Sequence, residues 1–267
     1  MEKVDVSVIL PIESSKHVDF DDYFNKAVQS LLIQITPINE LVIVHSGEDQ
    51  LKSKIEAYDY SGLTVNIIQN DGEFDFASQV NLGVKNAKSK WVSVLEFDDE
   101  YSSIWFKNVK EYIQSYPEVD GFLPLVVDTD EKGVFVGFTN EATFAVSLNS
   151  DMGYLNNETL LNYQNFQTSG MVIKKSTYEN SGGFKPSVKL TFVYEFLLRL
   201  TYNSAKLMTI PRIGYKHMNL RRGSIFWNYK FGDNNLTDDE VSFWIDSAKK
   251  EHFFTTDRNL KYEPQEV

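Results

Sequence analysis

Cysteine is absent from the 267 residues. Structural disulfides, thiolate nucleophiles and thiolate metal sites are therefore excluded, and any bound metal must use oxygen or imidazole ligands. Imidazoles are scarce as well, with four histidines, at 17, 45, 217 and 252. Cations are in deficit: 26 Lys and Arg against 38 Asp and Glu give a net charge of −12. That balance argues against a broad basic surface for nucleic acid or anionic membrane, while leaving room for a local basic groove. No apolar run reaches membrane-spanning length. The opening MEKVDVSVILPIESS lacks both the basic leader and the long apolar core of a secretory signal. A soluble, cytoplasmic protein is the expectation, and the sequon-like triplets at Asn157 and Asn235 read as chance matches.

What is present is an ordinary globular composition, 42% hydrophobic and 24% charged, rich in aromatics at 14%. The length suits one large domain or a domain with an added lobe. The first half alternates. Apolar runs of strand length at 6–12, 40–46, 63–69, 91–97 and 121–127 are separated by helical stripes. One stripe is Phe24, Val28, Leu31 and Ile35; another is Ala77, Val80, Val84 and Ala87. A polar helix is expected around 48–59, and a further helix around 103–115, before Pro117. Such alternation implies right-handed βαβ units and a parallel sheet, with ligands beyond the carboxyl ends of the strands. Three segments fall on that rim: 11–15, 45–49 and 96–100.

The second half is looser. One or two hairpin strands are expected over 132–149, a loop or short helix over 150–167, and a strand over 168–175. A helix follows over 191–205, with Val193, Phe196, Leu197 and Leu200 inward, then two short strands over 206–220. Thr237-Asp238-Asp239-Glu240 reads as a capping box opening a helix to about 250. The division expected is a domain over 1–225, with a nucleotide-binding half over 1–127 and an acceptor half over 128–225. An aromatic-rich helical extension over 226–267 would complete it.

The sharpest feature is WVSVLEFDDEYS, 91–102, in which an apolar strand runs into Glu96, Asp98, Asp99 and Glu100. Acid-rich turns are often merely solvated. At a strand end on a ligand rim, however, carboxylates suit a hard divalent cation shared with substrate phosphates. If the segment stays extended, Glu96 and Asp98 face one side and Asp99 the other.

In this order of motifs the chain resembles the family 2 glycosyltransferases of GT-A fold, from about residue 6 to 225. VSVILPIESS is similar to the family's opening strand, and the turn closing LVIVHSGED to its VDDGS-like turn. FASQVNLGVKNAKSKWVSVLEFDD resembles the stretch through N-x-G into the D-x-D element. SGMVIKKSTYENSGGF resembles the segment leading to GGF, and YEFLLRL the tail of the ED-x-DL-x-LRL helix. The resemblance implies an α/β GT-A fold, with a mostly parallel sheet flanked by helices and a smaller antiparallel acceptor-side part. It also implies inverting transfer of a sugar from a nucleoside-diphosphate donor, UDP-linked, to a glycan or other hydroxyl acceptor, assisted by Mn²⁺ or Mg²⁺. Donor contacts carry over to Pro11, Ile12, Glu13, Ser46, Asp75, Gln79, Asn81, Glu96, Phe97, Asp98 and Arg222. Metal contacts carry over to Asp98 and His217, and the base to Glu195.

The chain also departs from that pattern. His45-Ser46 stands where two acids are usual, Glu13 replaces an aromatic, and Glu195 is the one acid left of the ED-x-D set. Each residue has a plainer reading too. Glu195 and Arg199, at i and i+4, suit an exposed ion pair. His217 suits a hydrogen-bonded structural role, Asn81 and Gly83 suit helix packing, and Arg221 and Arg222 suit a solvated loop. Phe226, Trp227, Tyr229 and Phe231 suit either a lid or core closure. A donor-binding scaffold that has lost its base is the alternative function. A nucleotidyltransferase is disfavoured because PIESSKHVDFDD has no glycine-rich loop.

Overall fold

The structure, a computed structural model, describes residues 2–14, 19–141, 153–162, 164–219, 221–232 and 235–263. The first strand, β1 (Val4–Ile12), is followed by α1 (Phe20–Leu32), β2 (Ile38–His45), α2 (Asp49–Ala57), β3 (Val65–Gln69), α3 (Phe76–Asn86) and β4 (Trp91–Val94). Next come β5 (Glu100–Tyr101), α4 (Trp105–Ser115), β6 (Gly121–Thr129), β7 (Phe135–Thr139), β8 (Tyr154–Leu155) and α5 (Asn157–Asn162). Then follow β9 (Val172–Lys174), α6 (Lys175–Asn180), a 3₁₀ turn at Pro186–Thr191, α7 (Phe192–Tyr202), β10 (Leu207–Met218), α8 (Ile225–Phe231) and α9 (Asp238–Glu251).

One mixed sheet carries the order β3-β2-β1-β4-β9-β6-β10-β5, with β7 paired to β6 and β8 to β10. The expected parallel half is β3-β2-β1-β4. The antiparallel part enters through β9, which runs against both β4 and β6. Helices cover both faces, so β1 is buried along almost its whole length. Its alternate residues Val6, Val8, Leu10 and Ile12 pack with α1, α2 and α4, while Ile9 turns to the face of α3 and α7. Gly83 allows α3 to lie close: a Cβ there would sit 2.4 Å from Ile9 Cγ2 and 3.1 Å from Val44 Cγ2. Among the described residues no helix is long and apolar enough to cross a membrane.

Several expectations are corrected. The helical stripe through Ile35 stops early, because α1 ends at Leu32 and Ile35 is exposed. The strand expected over 91–97 ends at Val94, and that over 168–175 is confined to Val172–Lys174, where α6 takes over. The two strands expected over 206–220 are one, β10, with register irregularities between Ile210 and Tyr215 around Pro211. Proline cannot supply a ladder N–H, so the strand bulges there instead of stopping. Of the hairpin expected over 132–149, β7 forms; 142–149 lies outside the described residues, as does Ser15 on the expected rim. Of the expected capping box the N-cap bond forms, with Thr237 Oγ1 accepting from Glu240 N at 3.2 Å. The C-terminal helix α9 packs back on the body: Trp244 is buried and its carbonyl accepts from Thr191 Oγ1 at 2.7 Å.

Candidate active site

The carboxyl ends of β1, β4, β6 and β10 surround a cavity of about 450 Å³. Its wall includes Pro11, Glu13, Glu96, Asp98, Asp128 and His217. Where parallel strands end, backbone groups and loop side chains are free to meet a ligand.

The acidic run forms a tight turn here. Because β4 stops at Val94, the chain bends, and Asp99 N donates to Glu96 O at 3.1 Å. In a turn, residues i and i+3 approach one another. Glu96 is therefore grouped with Asp99, and the extended-strand expectation that paired it with Asp98 is corrected. Asp99 is 1% exposed and accepts from Met218 N at 2.8 Å, with its other oxygen 2.9 Å from His217 Nδ1. Glu96 accepts from Ser169 Oγ at 3.1 Å, and its own N–H donates to the buried Tyr215 hydroxyl at 3.0 Å. One ligand atom each from Glu96, Asp99 and His217 lies within 4.8 Å of the others. Asp98 turns instead to Arg221, which hydrogen-bonds it and lies over the Phe97 ring at 4.7 Å.

The electrostatics answer why the acids tolerate one another. Burial, reinforced by the charge of Asp99, pushes the Glu96 carboxyl up to about 7. Burial and Asp99 also raise the Asp98 carboxyl, against the pull of Arg221. Burial works to lower the His217 imidazole, but the charge and hydrogen bond of Asp99 outweigh it and push the group up to about 10. An imidazolium and a guanidinium thus serve as counterions to the cluster.

The other sequence-predicted residues divide into wall and support. Pro11, Glu13, Phe97, Asp98 and His217 are on the wall. Ile12 is buried; its N–H donates to Gln79 Oε1 at 3.2 Å, and Gln79 Nε2 donates to Phe74 O at 2.7 Å. Gln79 is thus a strut behind β1. Asp75 caps α3, accepting from Ser78 N at 2.9 Å. Asn81 accepts from Phe184 N and the Tyr178 hydroxyl at 2.9 and 2.6 Å and donates to Phe184 O at 2.8 Å, tying α3 to the glycine loop. Ser46 lies off the wall, and its hydroxyl is buried with no partner among the described residues. Arg222 is also off the wall; its guanidinium covers Trp227 at 5.9 Å.

Glu195 is the clearest correction. It is 0% exposed and does not reach the cavity. Its Oε1 accepts from Arg199 Nε at 2.9 Å and lies 3.0 Å from Lys185 Nζ, and its Oε2 accepts from Arg199 at 2.8 Å. Arg199 also donates to the carbonyls of Ser181 and Gly183. The i,i+4 pair is real but interior. The helix turns 100° per residue, so Glu195 lies about 200° from Val193 and about 60° from Phe192, one turn further along the helix, where it is covered by Arg199 and Lys185. Val193, expected inward, and Phe192 line the cavity. A side chain with both oxygens committed to buried cations has no access to an acceptor hydroxyl.

Residues that sequence reasoning missed are Asp128, Thr139, the 164–169 loop, and Lys189, all on the wall. Asp128 was legible in principle, since the strand-end rule applied to the run at 121–127 marks it.

Residues 7–179, strand β1 through α6, match the family described as glycosyl transferase family 2. The chain belongs to that family. Among solved structures, the fold of this family 2 member is similar to that of TarS from S. aureus. TarS 1–349 in complex with UDP is 16% identical with a TM-score of 0.63, covering 95% of this chain and 72% of that one. The complex of TarS 1–349 with UDP-GlcNAc gives 16% and 0.64, covering 95% and 73%. Against the longer TarS structure the match spans 97% of this chain but 44% of the other, at 16% identity and a TM-score of 0.63. At this identity the likeness establishes the GT-A fold. No curated protein matches the chain.

Proposed function

We propose that the cavity binds a nucleoside-diphosphate sugar, UDP-linked as in the TarS complexes, and that the chain transfers the sugar with inversion to a hydroxyl acceptor. The observation that carries this is the grouping of Glu96 and His217, both on the cavity wall, with the buried Asp99 behind them, one ligand atom of each lying within 4.8 Å of the others. Two carboxylates and an imidazole are a donor set that suits Mn²⁺, and the carboxylates suit Mg²⁺. Burial and the neighbouring charge of Asp99 raise the Glu96 carboxyl, and added positive charge beside it would favour its ionised form. Glu96, Asp99 and His217 would hold the ion, whose chemistry when bound is to offset charge on the diphosphate. Pro11 and Glu13 would flank the nucleoside. Arg221 and Lys189, both on the wall, supply positive charge for the phosphates. Phe184, Phe192 and Val193 close one side with apolar surface and limit water around the reacting carbon.

Binding of the donor without transfer is a second reading, favoured by one observation. The helix face that presents acids in the family pattern presents Phe192 and Val193 here. Calorimetry with UDP-GlcNAc and other nucleotide sugars, with and without Mn²⁺, followed by a nucleotide-release assay, tests both. A donor at 100 times its Kd should add roughly 2.7 kcal/mol of stability. Mn²⁺-dependent binding with release of UDP supports transfer, and binding without release in the presence of a panel of sugar and polyol hydroxyl acceptors supports the second reading. An absence of binding by any nucleotide sugar overturns both.

A further inference from the structure

With Glu195 sealed in the interior, the proposed transfer needs a proton acceptor elsewhere on the wall. Four acids line the cavity: Glu13, Glu96, Asp98 and Asp128. Glu96 belongs to the candidate metal trio, Asp98 is bound to Arg221, and Glu13, just past the end of β1, would flank the nucleoside in the reading above. Asp128, on the acceptor half, is the remaining acid.

Asp128 is placed by three strands. It is the penultimate residue of β6, in register with His217 on β10 and with Gly137 on β7. Register partners share a face of the sheet, so the carboxylate stands beside the metal trio. It is 6% exposed, and one oxygen, Oδ2, accepts from Thr139 Oγ1 at 2.6 Å. The other oxygen is left for a further donor, and Asp128 makes no ion pair among the described residues. Across from it, a Cβ on Gly137 would meet nothing within 4 Å, which leaves open space beside the carboxylate. Hydrogen bonds brace the chain just behind Thr139. Asn140 Nδ2 donates to Pro124 O at 3.0 Å and Gln167 O at 3.2 Å, and Asn140 Oδ1 accepts from Gln167 N at 2.9 Å.

We infer that Asp128 is the general base of this chain, acting from β6 in place of an acid on α7. This rests on the transferase reading above. The acceptor O–H proton passes to the Asp128 carboxylate while the acceptor oxygen bonds to the anomeric carbon. The bond from that carbon to the diphosphate oxygen breaks, and its electron pair leaves with the nucleoside diphosphate. The Thr139 hydroxyl holds the carboxylate in place.

The test uses water as the acceptor, so that the true acceptor need not be known: hydrolysis of UDP-GlcNAc and other UDP-sugars with Mn²⁺, alongside Mn²⁺·UDP affinity. Asp128→Asn should lower turnover by about 10²–10⁴ with UDP affinity unchanged. A folded variant with near-wild-type hydrolysis overturns the inference and leaves the transferase reading standing. If Asp128→Asn melts below the assay temperature, Gly137→Leu carries the test. Its side chain would crowd the carboxylate without touching the donor side, and should cut hydrolysis at least about tenfold; unchanged turnover overturns the inference. Wild-type protein that binds UDP-sugar with Mn²⁺ yet releases no UDP, either with water or with a panel of sugar and polyol hydroxyl acceptors, overturns the inference and the transferase reading together.

Discussion

Substituting Glu195 by Gln separates a base from a buried counterion. The change keeps the side chain's shape and removes its charge. In the structure that charge is shared by Arg199, through two hydrogen bonds at 2.9 and 2.8 Å, and by Lys185 at 3.0 Å. All three side chains are essentially inaccessible, at 0, 0 and 1% exposure. Removing the shared carboxylate strands two cations in the interior, and breaking a buried pair from one side costs about 3–5 kcal/mol. Lys185 can relieve part of this by losing its proton, since burial already pulls its ammonium below the usual range. Arg199 has no such route. At about 2–4 °C per kcal/mol for a domain of this order of size, the melting temperature should fall by roughly 6–20 °C. The assay is thermal and urea denaturation, paired with Mn²⁺·UDP affinity well below the transition, where affinity should match the wild type. A variant whose stability is within about 1 kcal/mol of wild type but whose turnover has collapsed would refute the reasoning. That result would mean the carboxylate is reached by substrate.

Further outcomes follow from the turn and the helix packing. Glu96→Gln or Asp99→Asn should abolish Mn²⁺ binding measured by calorimetry, while Asp98→Asn should weaken UDP binding through Arg221 and leave binding of Mn²⁺ alone nearly intact; the opposite ranking would return Asp98 to the metal. Because the His217 imidazole, raised to about 10, holds a proton throughout this range and the Glu96 carboxyl, raised to about 7, gains one as pH falls through 7, a cation must displace more protons at lower pH, so Mn²⁺ affinity should fall as pH drops from 8 to 6. Calorimetry in two buffers of different ionisation heat would detect the released protons. Gly83→Ala should destabilise by about 1–3 kcal/mol, because the added methyl meets Ile9 and Val44; a gain in stability, as helix propensity alone would give, would show that α3 can shift outward.

Much of this protein is written locally. Strand–helix alternation over the first 127 residues, the capping box at Thr237 and the order of the motifs all depend on neighbours within a few positions. Propensity, periodicity and turn chemistry act at that range, so the parallel half of the sheet and the place of the acidic rim were legible, while the GT-A fold as a whole was implied only by the resemblance of the motifs. The candidate site was legible only as a location. Whether Glu96 shares its space with Asp98 or Asp99 depends on where β4 stops pairing, because an extended chain and a turn group different residues. Whether Glu195 faces a substrate or a pair of cations depends on Lys185, ten residues earlier, being brought against α7 by the 3₁₀ turn between them. Asp128 matters because β6 lies between β10 and β7, an adjacency that joins residues 217 and 137 to it. The side-chain types come from the sequence, but which charges meet is decided by long-range packing.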